Sequence, residues 1–355
     1  MLKLTLNYTD LTERLMHEIY HLEWEYSNDT FSLRKCNPTD TIISQYASGD
    51  KLTILMGCWR PALTAGLLEF VKELNLSTAE AIIIDCSEHV IYEGEELYYQ
   101  TILHWGLTKP FCILTSISSF WYNSHPNSLI KFFPTWILFA SANYNFWDNP
   151  KKYKLSCLNG NYVDHRTRTY LALTKKSYFN DIVFSFGNRG KYYINNTSLT
   201  ASELEEFLHL PQQVTFVEDD ATRICDTSTR HPAYQETYIN LVTETNAFPT
   251  ALLSEKTFKP IISGQLFVLI AAPKSIQFLR DIGIDTFDDI IDHSYDNIAD
   301  SKLRIDVALL QIDHLMTLDL EQVYTQIKPR LLRNSEYFRS EEFREQFLTN
   351  GEIND

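Results

Sequence analysis

Tyr238-Ile-Asn-Leu-Val-Thr-Glu-Thr245, Ser254-Glu-Lys-Thr-Phe-Lys-Pro-Ile-Ile-Ser-Gly264 and Gln265-Leu-Phe-Val-Leu-Ile-Ala271 decide the fold class of this chain. Within about 33 residues an apolar run, a turn, an amphipathic stretch and a second apolar run follow one another, which predicts strand, loop, helix and strand. Strands that recur with a helix between them build a mostly parallel sheet. The start of the intervening helix then falls at the carboxyl end of the preceding strand, where open α/β sheets bind ligands.

Working outward, the same alternation covers most of the chain. In the second half, Tyr153 to Leu158, Ile182 to Phe186, Tyr238 to Thr243 and Leu266 to Ala271 read as strands. The helices between and after them are His165 to Leu173, Ala201 to Leu208 with Thr200 as cap, Ser254 to Ser263 and Ser275 to Ile282. In the first half Leu52 to Gly57, Ala81 to Asp85, Phe111 to Thr115 and Trp136 to Ala140 read as strands, with helices over Ala62 to Leu74 and Gly94 to Trp105. That half reads as a doubly wound lobe.

At 355 residues the chain is about twice a typical domain, so two domains are expected. Asn143-Tyr-Asn-Phe-Trp-Asp-Asn-Pro-Lys-Lys152 breaks the periodicity and marks the boundary. The expected division is 1–148, 149–300 and a helical C-terminal segment, 301–355, with helices over Leu303 to Met316 and Leu320 to Leu331 and a charged tail from Asn334. Leu210 to Pro232 reads as a long loop.

Composition excludes several classes. A net charge of −15 argues against a protein that holds nucleic acid along an extended basic surface. No run approaches the ~20 apolar residues of a membrane span. Met1 to Asp10 alternates like a strand and lacks the basic start and cleavage site of a signal peptide. The six cysteines are scattered with no CxxC pair, which predicts reduced thiols, no structural zinc and a cytoplasmic location. Aromatic residues make up 13% of the chain, which suits two apolar cores as readily as sugar stacking.

Ser254 is a fitting N-cap, with Glu255 and Lys256 in the first turn. Amides at a helix N-terminus favour an anion, a lysine beside them suits a diphosphate, and a glutamate accepts ribose or sugar hydroxyls. Glu255 and Lys259 also stand at i, i+4 spacing, so a plain surface ion pair fits equally well. Pro260 lies inside the helix and predicts a kink or a short first turn.

The segment from Ser254 through Ile270 resembles the Thr-Glu-Lys-Leu-Trp pattern, with its following alanine-leucine, glycine and Pro-Val-Ile, of α-1,3-fucosyltransferases. There is a looser likeness to exostosin-type enzymes. Phe278 to Phe287 and Asp292-His-Ser-Tyr-Asp296 resemble glycosyltransferase-like proteins of phages and bacteria. The resemblance spans about residues 150 to 300 and is only architectural before that. It implies the GT-B fold, two Rossmann-like lobes, and a glycosyltransferase that takes a nucleotide sugar as co-substrate with no other cofactor; the lack of an Asp-x-Asp motif adds the expectation of a metal-independent mechanism. The acceptor, a glycan, lipid or protein, is left open.

The resemblance puts the donor ribose or sugar on Glu255 and its phosphates on Lys256. It also asks for a basic residue after the first strand of this lobe. Ser156-Cys-Leu-Asn-Gly-Asn-Tyr-Val-Asp-His-Arg-Thr-Arg168 occupies that place, with Asn159 and Gly160 in the turn and Arg166 or Arg168 against the diphosphate. Arg166 is nearer the helix start; both arginines also read as solvated helix residues. Lys259-Pro260 and Gln265-Leu266 depart from the family pattern, so the donor's identity does not carry over.

The catalytic base is expected from the N-terminal lobe, where Ile84-Asp-Cys-Ser-Glu-His-Val90 offers Asp85, Glu88 and His89 at a strand end. Glu88 and His89 are the candidates, against the reading of caps and loop residues. Met56-Gly-Cys-Trp-Arg-Pro-Ala62 offers one glycine, Gly57, far short of a dinucleotide fingerprint. That shortfall disfavours a reductase or epimerase, and no Asp-x-Asp is present. A catalytically silent nucleotide- or sugar-binding protein of the same fold is the alternative.

Overall fold

The apolar runs pair into two five-stranded sheets. The structure, a computed structural model, describes residues 41–48, 51–58, 81–85, 111–115, 130–132, 144–160, 163–187, 199–211, 214–215, 229–244 and 253–343. The chain divides into two units, Met1–Leu138 with Arg344–Asp355, and Phe139–Phe343.

In the first unit the strands are β1 (Thr41–Ser48), β2 (Lys51–Cys58), β3 (Ala81–Asp85), β4 (Phe111–Thr115) and β5 (Ile130–Phe132), ordered as in the chain. The β1 strand runs antiparallel to β2, with Ser48 opposite Lys51; the others run parallel. Strands β2 to β4 coincide with the expected apolar runs. The β1 strand lacks strict alternation and β5 is three residues long, too short for a period, so neither was legible. Where a doubly wound sheet was expected, the described strands are laid down in one direction. The expected strands over Met1 to Asp10 and Trp136 to Ala140, and the helices over Ala62 to Leu74 and Gly94 to Trp105, lie outside the described residues.

The second unit holds β6 (Tyr153–Asn159), α1 (Asp164–Thr174), β7 (Val183–Phe186), α2 (Ala201–His209), β8 (Val214–Thr215), α3 (Pro232–Gln235), β9 (Thr237–Thr243), α4 (Glu255–Ser263), β10 (Leu266–Ile270), α5 (Ser275–Asp281), α6 (Ser301–Thr317) and α7 (Leu320–Phe338). The sheet order is β10-β9-β6-β7-β8. Four strands are parallel and β8, inside the stretch read as a loop, pairs antiparallel at the edge. The first strand, β6, therefore sits in the middle; the next two lie on one side of it and the last two on the other. This is a doubly wound sheet whose winding reverses between β6 and β9, the place where such sheets open a crevice at their carboxyl ends. All five residues of β10 are buried, as expected of a strand covered on both faces.

Aromatic rings fill the side of the sheet under α1 and α2: Tyr170 lies 4.6 Å from Phe186 and 5.2 Å from Phe184, and Phe207 packs edge-on to Phe186 at 5.9 Å. The α2 helix opens with a capping box, Glu203 N donating to Thr200 Oγ1 at 3.2 Å and Thr200 N to Glu203 Oε2 at 2.7 Å. Burial alone would raise the Glu203 carboxyl, but these bonds and Arg168 outweigh it and bring it down to about 2. Replacing Thr200 by alanine is expected to cost about 1 kcal/mol in urea denaturation at neutral pH. Because the folded pKa of Glu203 lies below its ordinary value, this part of the stability is present above the ordinary carboxylate range. It fades as the pH falls toward about 2 in wild type and Thr200→Ala alike, because alanine keeps the main-chain amide that donates to Glu203, and the loss of the Glu203 N to Thr200 Oγ1 bond persists there.

The last helix, α7, closes over the other side against α4, whereas α6 packs beside α1. Phe338 of α7 packs, tilted, against Phe258 of α4 at 5.2 Å and stacks on Phe343 at 4.5 Å. The expected tail begins later than Asn334, because Asn334 is buried and clamps the chain at Asp285, donating to its carbonyl at 2.8 Å and accepting from its amide at 2.9 Å. Arg304 of α6, also buried, donates to the carbonyls of Ala271, Ile298 and Ala299. The Asp292-His-Ser-Tyr-Asp296 motif is a fastening. Asp296 accepts from the amides of Ile276 and Gln277 at the start of α5, and the Tyr295 hydroxyl accepts from Leu269 N on edge strand β10. Among the described residues no helix is long and apolar enough to cross a membrane.

Candidate functional site

The carboxyl ends of β6 and β9 and the first turn of α1 meet at the reversal of winding, and the buried polar side chains of Asn159, Thr243, His165 and Arg166 tie them together. Asn159, the last residue of β6, accepts a hydrogen bond from Thr243 Oγ1 of β9. His165, in the first turn of α1, donates from Nε2 to the carbonyl of Glu244 at 2.6 Å, which fixes its tautomer. Burial, with Arg166 alongside, pulls its pKa down to about 3, so the imidazole is neutral.

Arg166 is 3% exposed and donates from Nη2 to the carbonyls of Glu244 at 3.0 Å and Thr243 at 3.3 Å. Its Nε is buried with no partner. No carboxylate among the described residues forms an ion pair with it. Desolvation lowers its pKa despite the attraction of Glu244 and Glu255. A guanidinium held this way is costly to keep, and an anion beside it would offset the cost.

Across the reversal, Ser254 caps α4 through Lys256 N at 3.3 Å. Glu244, fully buried, accepts from Ser254 N at 2.9 Å, Ser254 Oγ at 2.7 Å and Thr257 Oγ1 at 2.6 Å. Lys256 Nζ lies 2.7 Å from Glu255 Oε1, and the Lys256 side chain keeps 31% of its surface exposed against 9% for Glu255. Burial would raise the Glu255 carboxyl, but Lys256 and Lys259 outweigh it and hold it ionised.

The i, i+4 surface pair is overturned. Lys259 is 2% exposed, with its ammonium over the rings of Tyr144 and Tyr234 at 5.8 and 5.7 Å, and Glu255 pairs with its neighbour Lys256. The α4 helix is buried at every position except Lys256, so it has no solvated face on which such a pair would sit. The reading of Arg166 and Arg168 as solvated is overturned likewise, since both are buried in α1. Arg168 turns to Glu203 of α2, Nε to Oε1 at 3.4 Å, and stands apart from the cluster.

The structure thus brings Asn159, Arg166, Ser254, Glu255 and Lys256 to one place, adds His165, Thr243, Glu244 and Thr257, which sequence reading missed, and leaves Arg168 out. The signal for Glu244 was available: a carboxylate directly after a buried strand. Two cations, Arg166 and Lys256, meet two carboxylates, Glu244 and Glu255, in the cluster, and Lys259 adds to the attraction on Glu255. Cys157, buried beside Asn159, has its thiol pushed up to about 12 and is inert as a nucleophile. Asp85 ends β3; Glu88, His89, Trp59 and Arg60 lie outside the described residues. Among the described residues no group of three or more His, Cys, Asp or Glu is placed to hold a metal ion.

No protein-family model matches the chain, and no curated protein does. Among solved structures the chain is similar to the DNA-modifying enzyme β-glucosyltransferase, crystallised in the presence and absence of the substrate uridine diphosphoglucose. The TM-score is 0.40 and the identity 11%, over 80% of this chain and 84% of that one. A likeness that distant has no bearing on the activity of this chain.

Proposed function

We propose that the cluster at the reversal of the second sheet binds the diphosphate of a nucleotide sugar and that the chain is a metal-independent glycosyltransferase. The observation that carries this reading is Arg166: a buried guanidinium with an unpaired nitrogen and no carboxylate in ion-pair contact among the described residues, at the point of the sheet where ligands bind. The resemblance of Ser254 to Ile270 to a donor-binding motif supports it. In this reading Lys256 and Arg166 offset charge on the departing diphosphate, and Glu255 accepts ribose or sugar hydroxyls. The nucleotide sugar is the co-substrate, and the acceptor is a glycan, lipid or protein. Glu88 or His89 takes the acceptor proton.

Thermal-shift titration with GDP, UDP, CDP and ADP tests the donor site. At least one nucleotide is expected to raise the Tm, and Lys256→Ala to weaken its binding about tenfold, the loss of one half-buried charge-assisted contact. If no nucleotide stabilises the protein, the donor site is wrong. Stabilisation with no donor hydrolysis and no transfer identifies a silent binding protein of the same fold.

A further inference from the structure

Glu244 touches both halves of the cluster. Its carbonyl accepts from His165 Nε2 and Arg166 Nη2, on the first turn of α1. Its carboxylate accepts from Ser254 N, Ser254 Oγ and Thr257 Oγ1, on the first turn of α4. The two helices follow strands β6 and β9, neighbours in the sheet, so this residue links their first turns directly. The anion favoured at the start of α4 is therefore one the protein already supplies. Ser254 Oγ and Ser254 O also take the amides of Lys256 and Thr257, at 3.3 and 3.1 Å.

We propose that Glu244 is a positioning residue for the donor diphosphate: it holds Arg166 through its main chain and the Ser254–Lys256 turn through its side chain, so that the two cations reach the ligand at a fixed separation. This rests on the donor-site reading above. A carboxylate this close to an anion site also repels the ligand, so its charge and its hydrogen bonds act in opposite directions. Glutamine keeps the shape, accepting from Ser254 N and Thr257 Oγ1 and donating to Ser254 Oγ, but removes the charge. Alanine removes both.

The test is calorimetric titration of the full chain with UDP and with inorganic pyrophosphate, alongside Tm, for wild type, Glu244→Gln, Glu244→Ala and Thr257→Val. Glu244→Gln is expected to bind pyrophosphate as tightly as wild type or up to about threefold tighter, because a like charge is gone. Glu244→Ala is expected to bind both probes at least about tenfold more weakly, through misplacement of Arg166 and Lys256. Thr257→Val, which drops one bond and keeps the volume, is expected to lie between wild type and Glu244→Ala, and it stands in for Glu244→Ala if that variant does not fold. A helix cap without a positioning role would lower Tm and leave both affinities in place. Wild-type affinity in Glu244→Ala, or in Thr257→Val where that variant stands in, overturns the inference alone. Failure of wild type to bind either probe overturns the inference together with the donor site.

Discussion

Arg166→Met is expected to weaken UDP and pyrophosphate binding about a hundredfold while changing folding stability by less than about 1 kcal/mol. The first half follows from the loss of a buried, charge-assisted contact to a phosphate, worth up to about 3 kcal/mol. The second follows from what the arginine now costs. Its desolvation lowers its pKa in spite of Glu244 and Glu255, and its Nε is buried without an acceptor. Methionine fills much of the same volume with an apolar stem, and the Glu244 carbonyl keeps its bond from His165 Nε2. What is lost is the pair of Nη2 bonds to Thr243 and Glu244; what is gained is the end of a buried charge whose desolvation outweighs its attraction to Glu244 and Glu255. Urea denaturation and calorimetric titration of the same samples read the two quantities separately. A variant that loses several kcal/mol of stability yet binds normally would make Arg166 a brace between α1 and β9.

The divergence between these two readouts bears on how much of the site the sequence made legible. Strand and helix positions were readable because parallel strands buried on both faces are unbroken apolar runs, as in Leu266–Ile270, and because Ser254 and Thr200 are caps that act on residues two and three positions away. Local chemistry of that kind is written locally. The burial of Arg166 is not, because it comes from the end of β9, whose acceptor carbonyl lies 78 residues downstream. Nor is the pairing of Glu255, whose spacing to Lys259 matched a surface rule that fails on a helix with only Lys256 outside the core. Glu244 escaped for a third reason: its partners lie 10 and 13 residues on, across a stretch of sequence with no period to follow.

Gly264→Ala is expected to cost about 2 to 5 kcal/mol while leaving every functional side chain unchanged. Gly264 ends α4 at φ +77°, in the left-handed region, with Gln265 N reaching back to Pro260 O at 3.0 Å and Gly264 N to Ile261 O at 3.4 Å. A side chain there carries a backbone penalty of about 1 to 2 kcal/mol. Its Cβ would also stand 2.3 Å from the ring of Phe146, closer than any real contact, so something must yield at a further cost of about 1 to 3 kcal/mol. The two contributions separate in a double-mutant cycle: in a Phe146→Leu background Gly264→Ala should cost only the backbone part. Equal costs in both backgrounds would mean that the ring moves freely and the backbone conformation accounts for the whole effect. UDP affinity then reports which element gives way. The α4 helix is packed against Phe338 and pinned at its other end by Glu244, whereas Phe146 is only half-buried, so the ring is expected to shift and the affinity to hold. A fall in affinity parallel to the fall in stability would instead show the helix sliding as a rod, carrying Lys256 away from its place at the opposite end.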